Sequence, residues 1–313
     1  MNLKFPTAVL AALLLLATGA SAEYLHGATV RSATMYISPD KESPKLGEVG
    51  RGREVIILEK TAGWIHIQAN LGTKLDEERV VSGWILDKGV VLASSPDAAR
   101  ILYGEAVDSE DEASRRHGRR GADLDALHLY YRVYDMFPTS PLAGESLYRA
   151  ADIKWQLDKL DIMSKPSARQ QDAYLRGEID PQLMKLVMKK FPETKWADLA
   201  AFDLIDNKLC GEWQGSSKCP EKEAEVYEKY ASEHPQSPKV AEALYQAAWR
   251  YSSLIEIYKS EDDQKKSDDA KSRTISLSQK IVAQFPDTDW GARALRLVFL
   301  VQQDVPTYGN ATE

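Results

Sequence analysis

The stretch FPETKWADLAA, residues 191–201, recurs in related form at three other places in the chain. The related stretches are FPDTDWGARAL at 285–295, FPTSPLAGESL at 137–147 and HPQSPKVAEAL at 234–244. In each copy a proline, which interrupts a helix, is followed two residues later by serine or threonine and then by small residues at helical spacing. The repetition therefore predicts one structural unit that occurs four times in the fold.

Apolar residues precede each copy at steps of three and four, as with Leu183, Leu186 and Val187 ahead of Phe191. This spacing is typical of a helix that buries one face, and we expect that helix to end at the Phe-Pro or His-Pro pair. A hydroxyl side chain at the start of the next helix accepts a backbone N–H that has no other partner. The predicted helix caps are Ser140, Thr194, Ser237 and Thr288. Each copy is thus predicted to be the turn of a helical hairpin.

The prolines of the four copies are 54, 43 and 51 residues apart, so each unit is longer than a plain tetratricopeptide repeat of about 34 residues. Extra length lies in SKPSARQQDAYLRGEID at 164–180, in the loop that holds both cysteines, and in KSEDDQKKSDDAKS at 259–272. The turn resembles the (Y/F)PxSxxAxxA pattern of tetratricopeptide-like proteins of the bacterial envelope, such as the lipoprotein of the outer-membrane β-barrel assembly machinery and the cell-division coordinators. The resemblance implies an all-α, tetratricopeptide-like helical domain at 123–304 that binds a protein partner, with a tail at 305–313.

Residues 23–94 have the texture of strands, with the segments EVIILEK and WIHIQAN separated by turn residues. Short strands at close spacing predict a small all-β barrel. The segments MYISP at 35–39, GWI at 63–65 and GWI at 83–85 resemble the bacterial SH3-like domain. That resemblance implies a module that binds cell-wall material or peptides.

Three aromatic residues of this predicted barrel are candidate ligand-binding residues: Tyr36, Trp64 and Trp84. Each offers a large contact area with a polar tip, which suits a groove for a sugar or a peptide. The alternative is that both tryptophans only close the core of the barrel.

The first residues carry one lysine, an apolar block from Ala8 to Ala17 and small residues up to Ala22. These are the parts of a secretory signal peptide at 1–22, and the block is too short to span a bilayer. We expect an exported protein, periplasmic or secreted, with no transmembrane segment.

Residues 95–122 are predicted to be a linker with a first helix, and they contain four arginines between Arg115 and Arg120. This cluster is either an anionic-polymer site or a solvated helix end.

The chain has two cysteines, Cys210 and Cys219, in a loop with glycine and serine. In an exported protein such a pair is most simply a disulfide. Half of a metal site and a catalytic thiol are the alternatives. Trp213 lies in the same loop and is a candidate anchor for a partner.

The chain has 40 basic and 47 acidic residues, a net charge of −7, which argues against a nucleic-acid binder. No metalloprotease, nucleophile-elbow or phosphate-loop motif is present, so we predict no catalytic residue, metal or cofactor. The resulting hypothesis is a non-catalytic envelope adaptor that contacts peptidoglycan, an envelope protein or both. The alternatives are a cell-wall hydrolase with an unrecognised carboxylate pair and a structural subunit that oligomerises through the barrel.

Overall fold

The computed structural model describes residues 25–72, 79–170 and 172–308, and the predicted signal peptide lies outside these ranges. The N-terminal part forms one antiparallel sheet with the strand order β3-β2-β6-β5-β4-β1-β7. Its strands are β1 Leu25–Thr29, β2 Ala33–Tyr36, β3 Lys45–Val49, β4 Glu54–Thr61, β5 Trp64–Asn70, β6 Val80–Leu86 and β7 Val90–Leu92.

Alternation of side chains along the strands decides which face of the sheet is buried. In β5 the residues Ile65, Ile67 and Ala69 point inward, whereas their neighbours are only half-buried. The inward residues of β2 to β6, including Met35 and Val49, pack into one apolar core, because successive side chains of a strand point to opposite faces. The alternation of apolar and polar residues along the strands therefore accounts for a small β module with one buried face.

The rest of the described chain is helical. Its α-helices are α1 Ala98–Ser114, α2 Ala122–Met136, α3 Ala143–Met163, α4 Gln182–Lys190, α5 Lys195–Asp203, α6 Lys218–Glu233, α7 Val240–Ser260, α8 Gln264–Gln284 and α9 Asp289–Gln302. Short 3₁₀ turns lie at Pro166–Arg169, Ala173–Leu175 and Leu204–Lys208. The prediction of a β module followed by helical repeats is confirmed.

Each of the four related stretches is the turn of a helical hairpin. The pairs are α2 with α3, α4 with α5, α6 with α7 and α8 with α9. The first helix of each pair ends at Phe137, Phe191, His234 or Phe285, whose N–H still donates to the carbonyl four residues before it. The proline that follows cannot donate to the next carbonyl, so the helix stops there.

The four hydroxyl oxygens accept backbone N–H groups in two different ways. Thr194 and Thr288 are N-caps, with Oγ1 accepting from the N–H of Ala197 and Gly291 at 3.4 and 3.1 Å. Ser140 and Ser237 are not the N-caps of α3 and α7, which corrects the prediction for these two residues.

The serines differ because a second proline follows each of them directly. Their Oγ atoms accept instead from the N–H groups of Leu142 and Lys239, at 3.2 and 3.1 Å, in a turn that precedes the helix. The helix itself begins three residues after the serine.

We expect Thr194→Ala to lower the free energy of unfolding by about 1 kcal/mol, because the N–H of Ala197 loses its acceptor. Urea denaturation at pH 7 measures the change. Thr139→Ala is the matched control, since Thr139 is exposed in an equivalent turn, and its effect should stay within about 0.5 kcal/mol. Equal stability of the two variants would contradict the assigned cap.

The sheet and the first helices share a core. Ala28 of β1 and Val91 of β7 pack in one cluster with Leu102 of α1 and Leu129 of α2. Gly52 has a φ of 69° and lies against the backbone of α2, where a Cβ atom would stand 2.6 Å from the nitrogen of Leu129. Much of the predicted linker is therefore α1, a packed helix that joins the sheet to the array.

Candidate ligand-binding face

Three predicted binding residues of the sheet meet on its outer face. Tyr36 of β2 is paired with Trp84 of β6, which in turn is paired with His66 of β5. Trp64 stands two residues before His66 on the same strand and so points to the same side. We call Tyr36, Trp64, His66 and Trp84 the aromatic face.

The rings of the aromatic face contact one another in pairs. The imidazole of His66 stacks on Trp84, with ring centroids 4.9 Å apart and planes inclined by 13°. Tyr36 meets Trp64 edge to face, with centroids 5.5 Å apart. The Nε2 atom of His66 lies 3.0 Å from the hydroxyl of Ser82, which fixes the orientation of the imidazole. The result is an ordered aromatic surface rather than a set of separate side chains.

The alternative that Trp64 and Trp84 close the core is wrong, because both are half-buried and their neighbours Ile65 and Ile85 fill the core instead. Gly83, next to Trp84, allows β2 to approach on the inner side. A Cβ atom there would stand 2.6 Å from Cγ of Met35. Position 83 therefore has no room for a side chain on the inner side.

A cleft of about 380 Å³ opens beside Tyr36. Thr34 and Leu86 line it together with the basic residues Arg31 and Lys88. Arg31 is held by Glu105 of α1 at 2.6 Å, so the helical part of the chain fixes one wall. Flat rings next to a cleft that Lys88 lines suit a ligand that has apolar faces and carries a carboxylate.

His66 is a residue of this face that the sequence analysis missed. Its signal was present in WIHIQAN, where it alternates with Ile65 and Ile67 and shares the side of Trp64. Its stacking on Trp84 depends on the pairing of β5 with β6, which no local pattern reveals.

Trp213 is buried, with only 9% of its surface exposed, so its prediction as a partner anchor is corrected. Its ring packs against Trp249 and Tyr308 at centroid distances of 5.2 and 5.3 Å. Its Nε1 donates to Glu223 at 3.3 Å. These partners lie far from Trp213 in the sequence, so the polar composition of its own loop gave no sign of them.

Cys210 and Cys219 form a disulfide, with an S–S distance of 2.07 Å. The N–H of Cys210 donates to Glu223, which also forms an ion pair with Arg250 at 2.7 Å. The disulfide loop is thus tied to α6 by the disulfide and by hydrogen bonds to Glu223, and to α7 by the contact of Trp213 with Trp249.

The arginine cluster is exposed at the turn between α1 and α2. Arg115 pairs with Glu112 at 3.1 Å and Arg119 with Asp125 at 2.5 Å. Two of its four arginines therefore bind carboxylates of this chain. Binding of an anionic polymer to the cluster stays a prediction.

Two carboxylates of the array have unusual surroundings. Burial, reinforced by the charge of Asp152, raises the pKa of Asp203 to about 7, and the hydroxyl of Tyr148 donates to it at 3.1 Å. Asp206 accepts from Nε1 of Trp155 at 3.1 Å and from Lys159 at 2.7 Å. A carboxyl that stays protonated near neutral pH is the kind of group a general acid requires. Among the described residues no cluster of three or more His, Cys, Asp or Glu side chains has the arrangement of a metal site.

No family model matches the chain, and no curated protein matches it. Among solved structures it is similar to designed helical proteins. The DHF119 filament has 16% identity and a TM-score of 0.23, and the match covers 66% of this chain and 92% of the filament's chain. The de novo designed helical repeat protein DHR64 has 14% identity and a TM-score of 0.21, and the match covers 67% of this chain and 95% of the DHR64 chain. Similarity at TM-scores this low is not evidence for the fold. The assignment of helical repeats therefore depends on the four helical hairpins. None of the helices described here is long and apolar enough to cross a membrane.

Proposed function

We propose that the protein is a non-catalytic adaptor of the bacterial envelope, exported to the periplasm or beyond. Its SH3-like sheet module binds cell-wall material or a peptide on the aromatic face, and its tetratricopeptide-like array binds a protein partner. The observation that carries the proposal is the aromatic face, two pairs of contacting rings on the outside of a small β module. The disulfide supports export, because disulfides persist in oxidising compartments.

The physical basis of binding is the removal of these rings from water. Packing in the sheet already covers most of each ring and fixes its position, so little conformational entropy is lost when a ligand covers the remaining apolar area. The polar atoms at the ring edges and the cleft beside Tyr36, which Lys88 lines, supply orientation.

We expect Trp84→Ala to weaken co-sedimentation with purified sacculi about tenfold, which is the effect of about 1.4 kcal/mol of lost binding energy. The variant removes the ring that stacks on His66. Pelleting over a range of sacculus concentrations measures the affinity, and circular dichroism checks the fold.

Trp290→Ala is the matched control, because Trp290 is also a half-buried tryptophan but packs on Tyr245 of the array. It should bind sacculi as the wild type does. Unchanged binding by a folded Trp84→Ala variant, or no sacculus binding by the wild type, would overturn the sheet half of the proposal.

A cell-wall hydrolase is the second candidate function, favoured by the raised pKa of Asp203. Release of muropeptides from sacculi by the wild type, and its loss in Asp203→Asn and Asp206→Asn variants, would replace the adaptor with an enzyme. The hydrogen bonds from Tyr148 and Trp155 give these carboxylates a structural role without any chemistry.

A further inference from the structure

The two segments that flank the second hairpin, α4 with α5, lie against each other in the folded protein. One joins α3 to α4 and the other joins α5 to α6. They meet through their backbones: the N–H of Gly211 donates to the carbonyl of Gln170 at 3.0 Å, and a Cβ atom on Gly211 would stand 2.3 Å from that oxygen. Only glycine allows this approach, and the disulfide at the neighbouring Cys210 holds the second segment in place.

The contact creates two cavities, of about 680 and 590 Å³, on either side of Arg176 and Cys210, which line both. Arg176 is fixed by donating to the carbonyl oxygens of Asp206 and Leu209. Each cavity has the volume of a small-ligand site, of about 300–1,000 Å³. The two cavities share the wall that Arg176 and Cys210 form, and we call them together the insert groove.

The insert groove is basic, although the whole chain is acidic. Its lining has six basic residues and three acidic ones, whereas the chain has 40 basic and 47 acidic residues. Lys208, Lys218 and Lys222 line the second cavity, are exposed, and form no ion pair with any described residue. Their charge is thus available to a ligand.

Apolar side chains surround the same groove and are unusually exposed. Tyr174 is 82% exposed and Leu175 50%, and Met163, which lines the first cavity, is 55% exposed. A surface that combines free lysines with exposed apolar side chains fits a ligand that has both carboxylates and apolar groups. A uniform polyanion fits less well, because Asp172, Glu178 and Glu212 would repel it.

We propose that the insert groove binds an extended, acidic peptide segment of a partner protein, with its carboxylates on Lys208, Lys218 and Lys222 and its apolar side chains on Tyr174 and Leu175. This deepens the protein-partner half of the proposed function and rests on it. The disulfide then has a binding role, since it holds the groove in one shape before the partner arrives.

The test is a selection of random 12-residue peptides displayed on phage, panned against the chain from residue 23 onward with its disulfide intact. The selected sequences are expected to be rich in Asp and Glu and to contain aromatic or aliphatic residues. A fluorescein-labelled copy of the most enriched peptide then serves as the probe for anisotropy titrations. Peptides without an acidic bias, or no enrichment, would overturn the proposal.

The triple variant Lys208→Glu, Lys218→Glu, Lys222→Glu should bind the labelled peptide at least tenfold more weakly. The control reverses three exposed lysines of α4, Lys185, Lys189 and Lys190, and so changes the net charge equally. The control should bind as the wild type does. An equal loss in both triple variants would mean attraction by overall charge and no specific groove, and displacement of the peptide by heparin at equal charge concentration would favour a polyanion site instead.

Failure of the groove is distinguishable from failure of the adaptor. If envelope proteins are captured equally by the wild type and by the groove variant, the groove assignment is wrong and the adaptor stands. If the peptide binds in the groove but the wild type neither pellets with sacculi nor captures an envelope protein, the adaptor is wrong and the groove stands.

Discussion

Replacing Arg250 with methionine is expected to lower the free energy of unfolding by about 3–5 kcal/mol. The side chains of Arg250 and Glu223 are 7% and 2% exposed, and Nε of Arg250 lies 2.7 Å from Oε2 of Glu223. Methionine keeps most of the volume of arginine but removes its charge. The carboxylate of Glu223 then remains in the interior without a counter-charge, and this is the main cost.

The loss of stability involves more than one ion pair, because Glu223 also accepts two hydrogen bonds from the disulfide loop. Its Oε1 accepts from the N–H of Cys210 at 2.8 Å and from Nε1 of Trp213 at 3.3 Å. The guanidinium of Arg250 lies 4.5 Å from the ring centroid of Tyr227 and 5.5 Å from that of Trp249. Urea denaturation at pH 7, with the disulfide intact, measures the change in free energy.

The double variant Glu223→Gln, Arg250→Met isolates the effect of the buried charge. A neutral amide still offers an oxygen to Cys210 and Trp213, so the double variant should recover more than half of the loss. Arg100→Met is the matched exposed control: its side chain is 79% exposed, 3.6 Å from Asp97, and its effect should be within about 0.5 kcal/mol. If Arg250→Met cost no more than Arg100→Met, the buried network would not exist in solution.

The repeats were predictable because their signals are local. A proline, a hydroxyl two residues later and alanines at helical spacing decide where each helix stops and starts, and all three lie close together in the sequence, as from Pro192 to Ala200. The exception is also local, since the prolines after Ser140 and Ser237 move the start of α3 and α7. The strands were predictable for the same reason, from alternation within WIHIQAN and its neighbours.

The candidate sites were predictable only where alternation decides them. Trp64 and Trp84 alternate with isoleucines that fill the core, so the strand pattern contains their outward position, although the sequence analysis left a core position open. The burial of Trp213 depends on Trp249 and Tyr308, which are 36 and 95 residues away. The insert groove depends on two aperiodic segments that meet through Gly211 and Gln170. Contacts of this kind have no signature within either segment.

Asp203→Asn is expected to stabilise the protein above neutral pH, by roughly 2 to 4 kcal/mol at pH 8. Burial raises the pKa of Asp203 to about 7, with the charge of Asp152 as the next contribution. The folded protein therefore binds the proton of Asp203 more tightly than the unfolded chain does. At low pH the carboxyl is protonated in both states and does not lower the free energy of unfolding. The wild type loses stability as the pH rises from about 4, the pKa in the unfolded chain, to about 7, the pKa in the folded protein.

Asparagine reproduces the neutral carboxyl and keeps an oxygen that accepts from Tyr148, so the variant should show none of this loss. At pH 4 its free energy of unfolding should match that of the wild type, and the two curves should separate progressively up to pH 8. Urea denaturation at intervals of one pH unit measures both curves, with Asp287→Asn as the control because Asp287 is exposed. Destabilisation of Asp203→Asn at pH 8 would mean that Asp203 is ionised and paired in the folded protein. If the wild type releases muropeptides from sacculi and the stabilised Asp203→Asn variant does not, the hydrolase is favoured. A catalytic acid that lowers the stability of the protein is retained for its chemistry.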